Sequence, residues 1–108
     1  MRMIQTMEEL SERKQKDAML LVYVGRRGCG VCRALEGKLD ALRRAYPGIS
    51  AGKIEADDAP ELAAACGIFS VPALILFIEG KETMREAGIV SLDRVEQKIA
   101  RYHALFMD

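Results

Sequence analysis

Two cysteines three residues apart, Cys29 and Cys32, are the side chains of this sequence best suited to chemistry. They stand in the run Gly28-Cys29-Gly30-Val31-Cys32-Arg33, directly after the apolar stretch Met19 to Val24. Leu35, Leu39, Leu42 and Tyr46 follow at helical spacing, so the thiols lie where a buried strand turns into a helix. A C-x-x-C pair in that setting reads as a redox dithiol. Cys29 would occupy the helix N-terminus, where unpaired N–H groups and the helix dipole favour a thiolate. Cys32 lies one turn further on, placed to attack a mixed disulfide formed on Cys29. Arg26, Arg27 and Arg33 add positive charge beside the pair. In such surroundings a thiol of pKa ~8.5 falls to roughly 3.5–7.5.

Two other readings of the pair stay open on these residues: half of a zinc site, or two inert packed thiols. Zinc would need two more ligands, and Cys66 and His103 lack the usual ligand spacing, so no metal is expected. A strand-to-helix turn exposes its first residue, which argues against an inert pair. Cys66 shares a helix face with Leu62 and reads as a small core residue. His103 reads as a half-exposed surface residue late in the last helix. Tyr23 reads as a core residue whose hydroxyl pairs with Lys53.

The rest of the composition narrows the class. A chain of 108 residues, half of them hydrophobic, suits one domain over 1–108 with one packed core. Sixteen basic and sixteen acidic residues cancel, against a protein that grips nucleic acid or an anionic membrane by net charge. Three cysteines do not make a secreted disulfide framework. Glu8, Glu9 and Glu12 fall where an apolar leader would run, so a cytoplasmic location is expected.

Those thiols need elements to hold them. Met3-Ile4-Gln5 suggests a short first strand. Thr6 and Glu9 form a capping box for a helix to about Lys16, with Met7 and Leu10 facing inward. Met19–Val24 reads as a strand covered on both faces. The motif helix should reach about Ala45, with Gly37 marking a bend and Pro47-Gly48 ending it. A strand over Ile49–Glu55 follows, and Pro60 sits in the first turn of a short helix stopped by Gly67. Ala73–Ile78 and Glu82–Ala87 form a hairpin across Glu79-Gly80-Lys81. Ser91 caps a last helix with Leu92, Val95, Ile99, Tyr102 and Phe106 on its buried stripe. The order β-α-β-α-β-α-β-β-α gives an α/β fold, a central mixed sheet with helices on both faces.

At this point the chain resembles the thioredoxin family over nearly its whole length. Cys29-Gly30-Val31-Cys32 resembles the family's redox motif, and Val71-Pro72 its cis-proline loop, followed by the apolar strand Ala73 to Phe77. Gly80-Lys81 resembles its hairpin turn and Gly88 the glycine before the last helix. Lys53 and Asp57 fall where the family often has Lys and Asp. The departures are specific. Gly28 stands where the family usually has Trp, Gly30-Val31 where thioredoxins proper have Gly-Pro, and Gly37 where they have proline. Tyr23 replaces a buried aspartate. Gly25-Arg26 is closer to small thioredoxin-like proteins of bacteria.

The resemblance implies the thioredoxin fold and a thiol–disulfide oxidoreductase. Cys29 attacks a protein disulfide and Cys32 resolves it, with no cofactor beyond the dithiol itself. Gly30, Val31, Val71, Pro72 and Ile89 would form the substrate groove, and Arg26, Arg27, Lys53 and Tyr23 would tune the thiols. Protein disulfides are the expected partners, and thioredoxin reductase the expected source of electrons. A phenol is a poor base at neutral pH, so Cys32 is expected to lose its proton to water or to the substrate. A binding or adaptor module with little turnover is the alternative.

Overall fold

The apolar run after Asp17 becomes β2 (Met19–Gly25), a strand buried along its whole length, in a computed structural model that describes residues 1–106. The last two residues of the expected single domain over 1–108 lie outside the described residues. Around β2 the chain builds β1 (Arg2–Met3), α1 (Met7–Lys16), α2 (Gly30–Ala45), β3 (Ser50–Glu55), α3 (Pro60–Ala65), β4 (Ala73–Ile78), β5 (Lys81–Ala87) and α4 (Leu92–Phe106). The element order is the expected one. The five strands form one sheet in the order β1-β3-β2-β4-β5. β1, β3 and β2 run parallel, whereas β4 is antiparallel to β2 and to β5.

Alternation along the strands divides the core into two layers. Leu20, Val22 and Val24 of β2 meet Ala73, Ile75 and Phe77 of β4 on one face, under Leu10 of α1 and Leu62 and Ala63 of α3. Met19, Leu21 and Tyr23 meet Leu74, Leu76 and Ile78 on the other, under Cys32, Leu35 and Leu39 of α2 and Val95 and Ile99 of α4. Both faces of β2 are therefore dry, which explains its unbroken hydrophobic run.

Local signals set the helix ends. Thr6 Oγ1 accepts from the Glu9 N–H at 3.1 Å. The Glu9 carboxylate reaches back to the Gln5 N–H at 3.3 Å, one residue earlier than a standard capping box. Pro60 occupies the first position of α3, where it removes no helical hydrogen bond. Ser91 Oγ accepts from the Arg94 N–H at 3.3 Å and opens α4.

Three expectations need correction. The ladder of β1 covers only Arg2 and Met3, although the Ile4 N–H still donates to the Lys53 carbonyl at 2.8 Å. Met7 lies in the first turn of α1 and is 46 % exposed. Phe106, in the last turn of α4, is exposed and stacks on Tyr102 rather than entering the core. α2 runs unbroken through Gly37.

Gly37 is exposed, and a methyl group there would meet nothing within 4 Å. Gly37→Ala should therefore stabilise the fold by about 0.5–1 kcal/mol, through helix propensity and a less flexible unfolded chain. Urea unfolding should show a higher midpoint with an unchanged slope. An unchanged or lower midpoint would mean that α2 needs the glycine.

Candidate active site

The site begins where β2 runs out. Gly28 turns the chain with φ +73°, a conformation that side chains rarely adopt, and this is the position where the resemblance anticipates Trp. Cys29 follows in extended conformation as the N-cap of α2. Its Sγ accepts from the Cys32 N–H at 3.2 Å, doing the work of a capping hydroxyl. Cys29 and Cys32 are joined as a disulfide with their Cα atoms 5.2 Å apart. The two sulfurs are not equivalent. Cys29 is half-buried at the surface end, whereas Cys32 is 3 % exposed and packed among the residues of α2, α4 and the sheet.

Strand topology brings three chain segments to this place. Val24 pairs with Ala73 because β4 runs antiparallel to β2, so Pro72 arrives at the end of β2 where the cysteine loop departs. Gly25 pairs with Glu55 because β3 runs parallel, so the end of β3 arrives there too. The Val71–Pro72 peptide is cis.

Val31, between the two cysteines, borders an apolar groove of about 280 Å³. Val31, Leu35, Pro72, Ile89 and Leu92 line it. Val31 is exposed and Ile89 is 92 % exposed, an unusual state for two branched apolar side chains. Val71 is half-buried and packs against both core layers, and Gly30 is exposed at the first position of α2. Phe69, two residues before Val71, is 83 % exposed. Nothing in its local spacing marked it out, because it falls in a short loop between α3 and β4.

The two cysteines themselves line a polar cavity of about 150 Å³. Tyr23 donates its hydroxyl to the Cys32 carbonyl at 2.7 Å. The expected Tyr23–Lys53 pairing is absent. Gly25 leaves room for the ring to reach Cys32, since a side chain there would strike the tyrosine. Lys53 instead donates to Glu36 Oε1 at 2.9 Å. With Lys53 engaged, nothing offsets the loss of solvent at the phenol. Burial, assisted by Glu36 and Glu55, pushes Tyr23 up to about 12.

The arginines expected to tune the thiols have carboxylate partners from the β3–α3 loop. Arg26 pairs with Asp57 at 3.4 Å and Arg27 with Asp58, and the Arg27 N–H also donates to Asp57 at 3.1 Å. Both arginines line the polar cavity, but much of their field is spent on those aspartates. Among the described residues the one buried charged side chain is Glu55, also in this cavity, which had read only as the end of a strand. A signal was available: residues 51, 53 and 55 share one face of β3, and Tyr23 stands opposite Lys53 on β2.

The remaining candidates lie elsewhere. Cys66 caps the end of α3, half-buried against Leu62's side of the core, with its thiol pushed up by burial. His103 is half-exposed, donates Nε2 to the Pro47 carbonyl at 2.7 Å and meets the edge of Tyr46. Among the described residues no group of three or more His, Cys, Asp or Glu side chains is arranged to hold a metal ion.

A surface thiol at a helix cap, a buried partner one turn on and an apolar groove beside them define a dithiol–disulfide exchange site. Comparison with known proteins agrees. The thioredoxin family model matches residues 3–101. A thioredoxin-like protein of Bacillus subtilis, YdfQ, is 41% identical over 85 residues, covering 79% of this chain and 76% of that one. A thioredoxin of Chlamydia muridarum is 35% identical over 74 residues, covering 68% and 72%. A mutant thioredoxin of Halobacterium salinarum superposes with a TM-score of 0.84 at 26% identity, over 94% of this chain and 89% of that one. Oxidized mitochondrial thioredoxin 3 of Saccharomyces cerevisiae shares the fold, with a TM-score of 0.84 at 20% identity over 94% of each chain. The chain belongs to the thioredoxin family. It has the thioredoxin fold and is a thiol–disulfide oxidoreductase whose redox pair is Cys29–Cys32.

The raised phenol has a measurable consequence. Below pH ~10 Tyr23 is protonated whether the chain is folded or not, and contributes no pH dependence. Between pH ~10 and about 12 the unfolded chain loses this proton while the folded one keeps it, so stability falls as pH rises. Tyr23→Phe should make the alkaline limb of stability shallower. At neutral pH it should cost about 1 kcal/mol, the usual worth of a buried hydrogen bond. Urea midpoints at several pH values check both. An unaltered alkaline limb would contradict the burial of the hydroxyl.

Proposed function

We propose that this protein reduces disulfides in protein clients, with Cys29 as the attacking thiol and Cys32 as the resolving one. The observation that carries the assignment is their asymmetry, Cys29 half-buried at the helix cap and Cys32 fully buried behind it. A client disulfide reaches Cys29 first. The Cys29 thiolate attacks one client sulfur and releases the other as a thiolate. Cys32 then attacks Cys29 Sγ, forms the intramolecular disulfide and frees the second client thiol. Two electrons pass from the dithiol to the client, and no cofactor beyond the pair is required.

An extended client segment would lie along the cis-proline loop, pairing its backbone with Val71 as an added strand. Gly30 offers an uncluttered approach to the sulfurs. Val31, Pro72 and Ile89 receive the client's apolar side chains, which favours a protein over a small polar substrate. Arg26, Arg27 and Lys53 act on the thiols only weakly, through charges already paired. An external dithiol must restore the pair, and we assign that task to thioredoxin reductase acting in the cytoplasm, where a reduced pair is maintained. A non-catalytic binding module gains no support from a paired, asymmetric dithiol.

Insulin-disulfide reduction with a chemical reductant as electron source is the test. Turnover should vanish in Cys29→Ser. Cys32→Ser should retain the first attack and accumulate mixed disulfides visible by mass spectrometry. Greater iodoacetamide reactivity at Cys32 than at Cys29 in the reduced protein would reverse the assignment. Ile89→Asp, at a fully solvated side chain, should leave stability unchanged within about 0.5 kcal/mol and raise KM for a protein disulfide severalfold. An unchanged KM would remove Ile89 from the groove.

A further inference from the structure

We infer that Glu55 takes the proton from Cys32 when Cys32 resolves a mixed disulfide, and returns it when the disulfide is reduced. The inference rests on the exchange reading above and adds a residue to it.

The problem is chemical. A thiol attacks as its thiolate, so Cys32 must lose a proton before it closes on Cys29. Cys32 is 3 % exposed and has little access to bulk water. It does line the polar cavity, which gives its proton a way out. That cavity is lined by Tyr23 from β2, Arg26 and Arg27 from the following loop, Arg33 and Glu36 from α2, and Lys53 and Glu55 from β3.

Of these groups, one is equipped to accept. The arginines and Lys53 are cationic donors. The Tyr23 hydroxyl is already donating to the Cys32 carbonyl, and the phenolate is far out of reach at neutral pH. Glu36 is held by Lys53 at 2.9 Å on a more exposed part of the wall. Glu55 is 8 % exposed, and its Oε1 is buried with no hydrogen-bond partner. A buried carboxylate oxygen without a donor is costly and calls for an explanation. A proton arriving from Cys32, directly or along a water, supplies one, and the cavity is large and polar enough to hold water.

The step balances. Cys32 Sγ–H gives its proton to the Glu55 carboxylate. The sulfur attacks Cys29 Sγ, the Cys29–Cys32 bond forms and the bond from Cys29 to the client sulfur breaks. The client thiolate leaves and takes a proton from solvent. The dithiol is oxidised and the client reduced. This replaces the expectation that water or the substrate must accept the proton.

The test is single-turnover release from a mixed disulfide prepared on Cys29 with a chromophoric aromatic thiol, followed from pH 5 to 9. Glu55→Gln should slow release at pH 7 about a hundredfold, the lower end of what a positioned proton acceptor contributes. Its rate should rise tenfold per pH unit, tracking ionisation of Cys32 alone, whereas the wild-type profile is shallower. Glu55→Asp should recover part of the rate and the wild-type profile, a rescue that a purely structural role would not produce. Should Glu55→Gln fail to fold, the wild type still decides: the Glu55 carboxyl carbon resonance must titrate differently in the oxidised and reduced proteins. Equal release in Glu55→Gln and wild type at every pH, or identical carboxyl titration in both redox states, would overturn the inference. Attack by Cys29, timed separately in the Cys32→Ser background, keeps the two readings apart. Normal attack with unaltered release removes only Glu55, whereas no attack at all removes the exchange reading and Glu55 with it.

Discussion

The antiparallel pairing of β4 on β2 is the constraint on which the site depends. β2 delivers the chain to Cys29 at its C-terminal end, and β4 begins at Pro72. Only an antiparallel register sets those two ends side by side, with Ala73 opposite Val24. A parallel β4 would carry Pro72 to the far side of the sheet, about six residues or some 20 Å away. The parallel pairing of β3 completes the arrangement from the other flank, setting Glu55 beside Gly25. Mixed topology is thus what gathers a redox pair, a groove wall and a buried carboxylate at one end of the sheet. The cysteines, Pro72 and Glu55 are far apart in sequence, and the core layers on both faces of β2 hold their relative positions.

Much of this was legible in the sequence, for identifiable reasons. The C-x-x-C pair was readable because a buried strand and an amphipathic helix flank it, and each has its own periodicity. Pro72 and Ile89 were placed near the pair by resemblance, not by local pattern, and they do line one groove with Val31. Errors cluster where a side chain's fate is decided by distant neighbours. Met7 and Phe106 satisfy helical spacing, yet each sits in a terminal turn where little remains to cover it. Tyr23 was correctly placed in the core, but its hydroxyl had two polar destinations. The choice fell to the Cys32 carbonyl because Gly25 lets the ring lean that way, while Glu36, a helix residue, claims Lys53. Glu55 was missed because a strand's last residue ordinarily meets water. Its burial is a product of sheet order, which sets it beside Gly25 at the end of β2.

The redox motif borders two environments, the groove through Val31 and the polar cavity through the two cysteines, and these suit different tasks. Toward the groove, Val31, Pro72 and Ile89 present apolar surface and no ionisable group other than the outlying Lys38. Sulfur–sulfur exchange needs access and alignment more than it needs proton donors, and such a surface supplies both. Toward the cavity, Tyr23, Glu36, Lys53, Glu55 and three arginines supply hydrogen-bonding groups and no open apolar wall. Protons can be moved there without competing with the client. Arg26 and Arg27 are paired with Asp57 and Asp58, and Lys53 with Glu36, which keeps the field of those groups on the sulfurs modest. The helix N-terminus then becomes the main local influence favouring anionic Cys29, through the same unpaired N–H groups that its sulfur caps. A single helix start therefore serves three purposes: it turns the chain, exposes one sulfur and buries the other one turn below. Any change that lengthened α2 by a residue at its N-terminus would bury Cys29 among helical hydrogen bonds and remove all three at once.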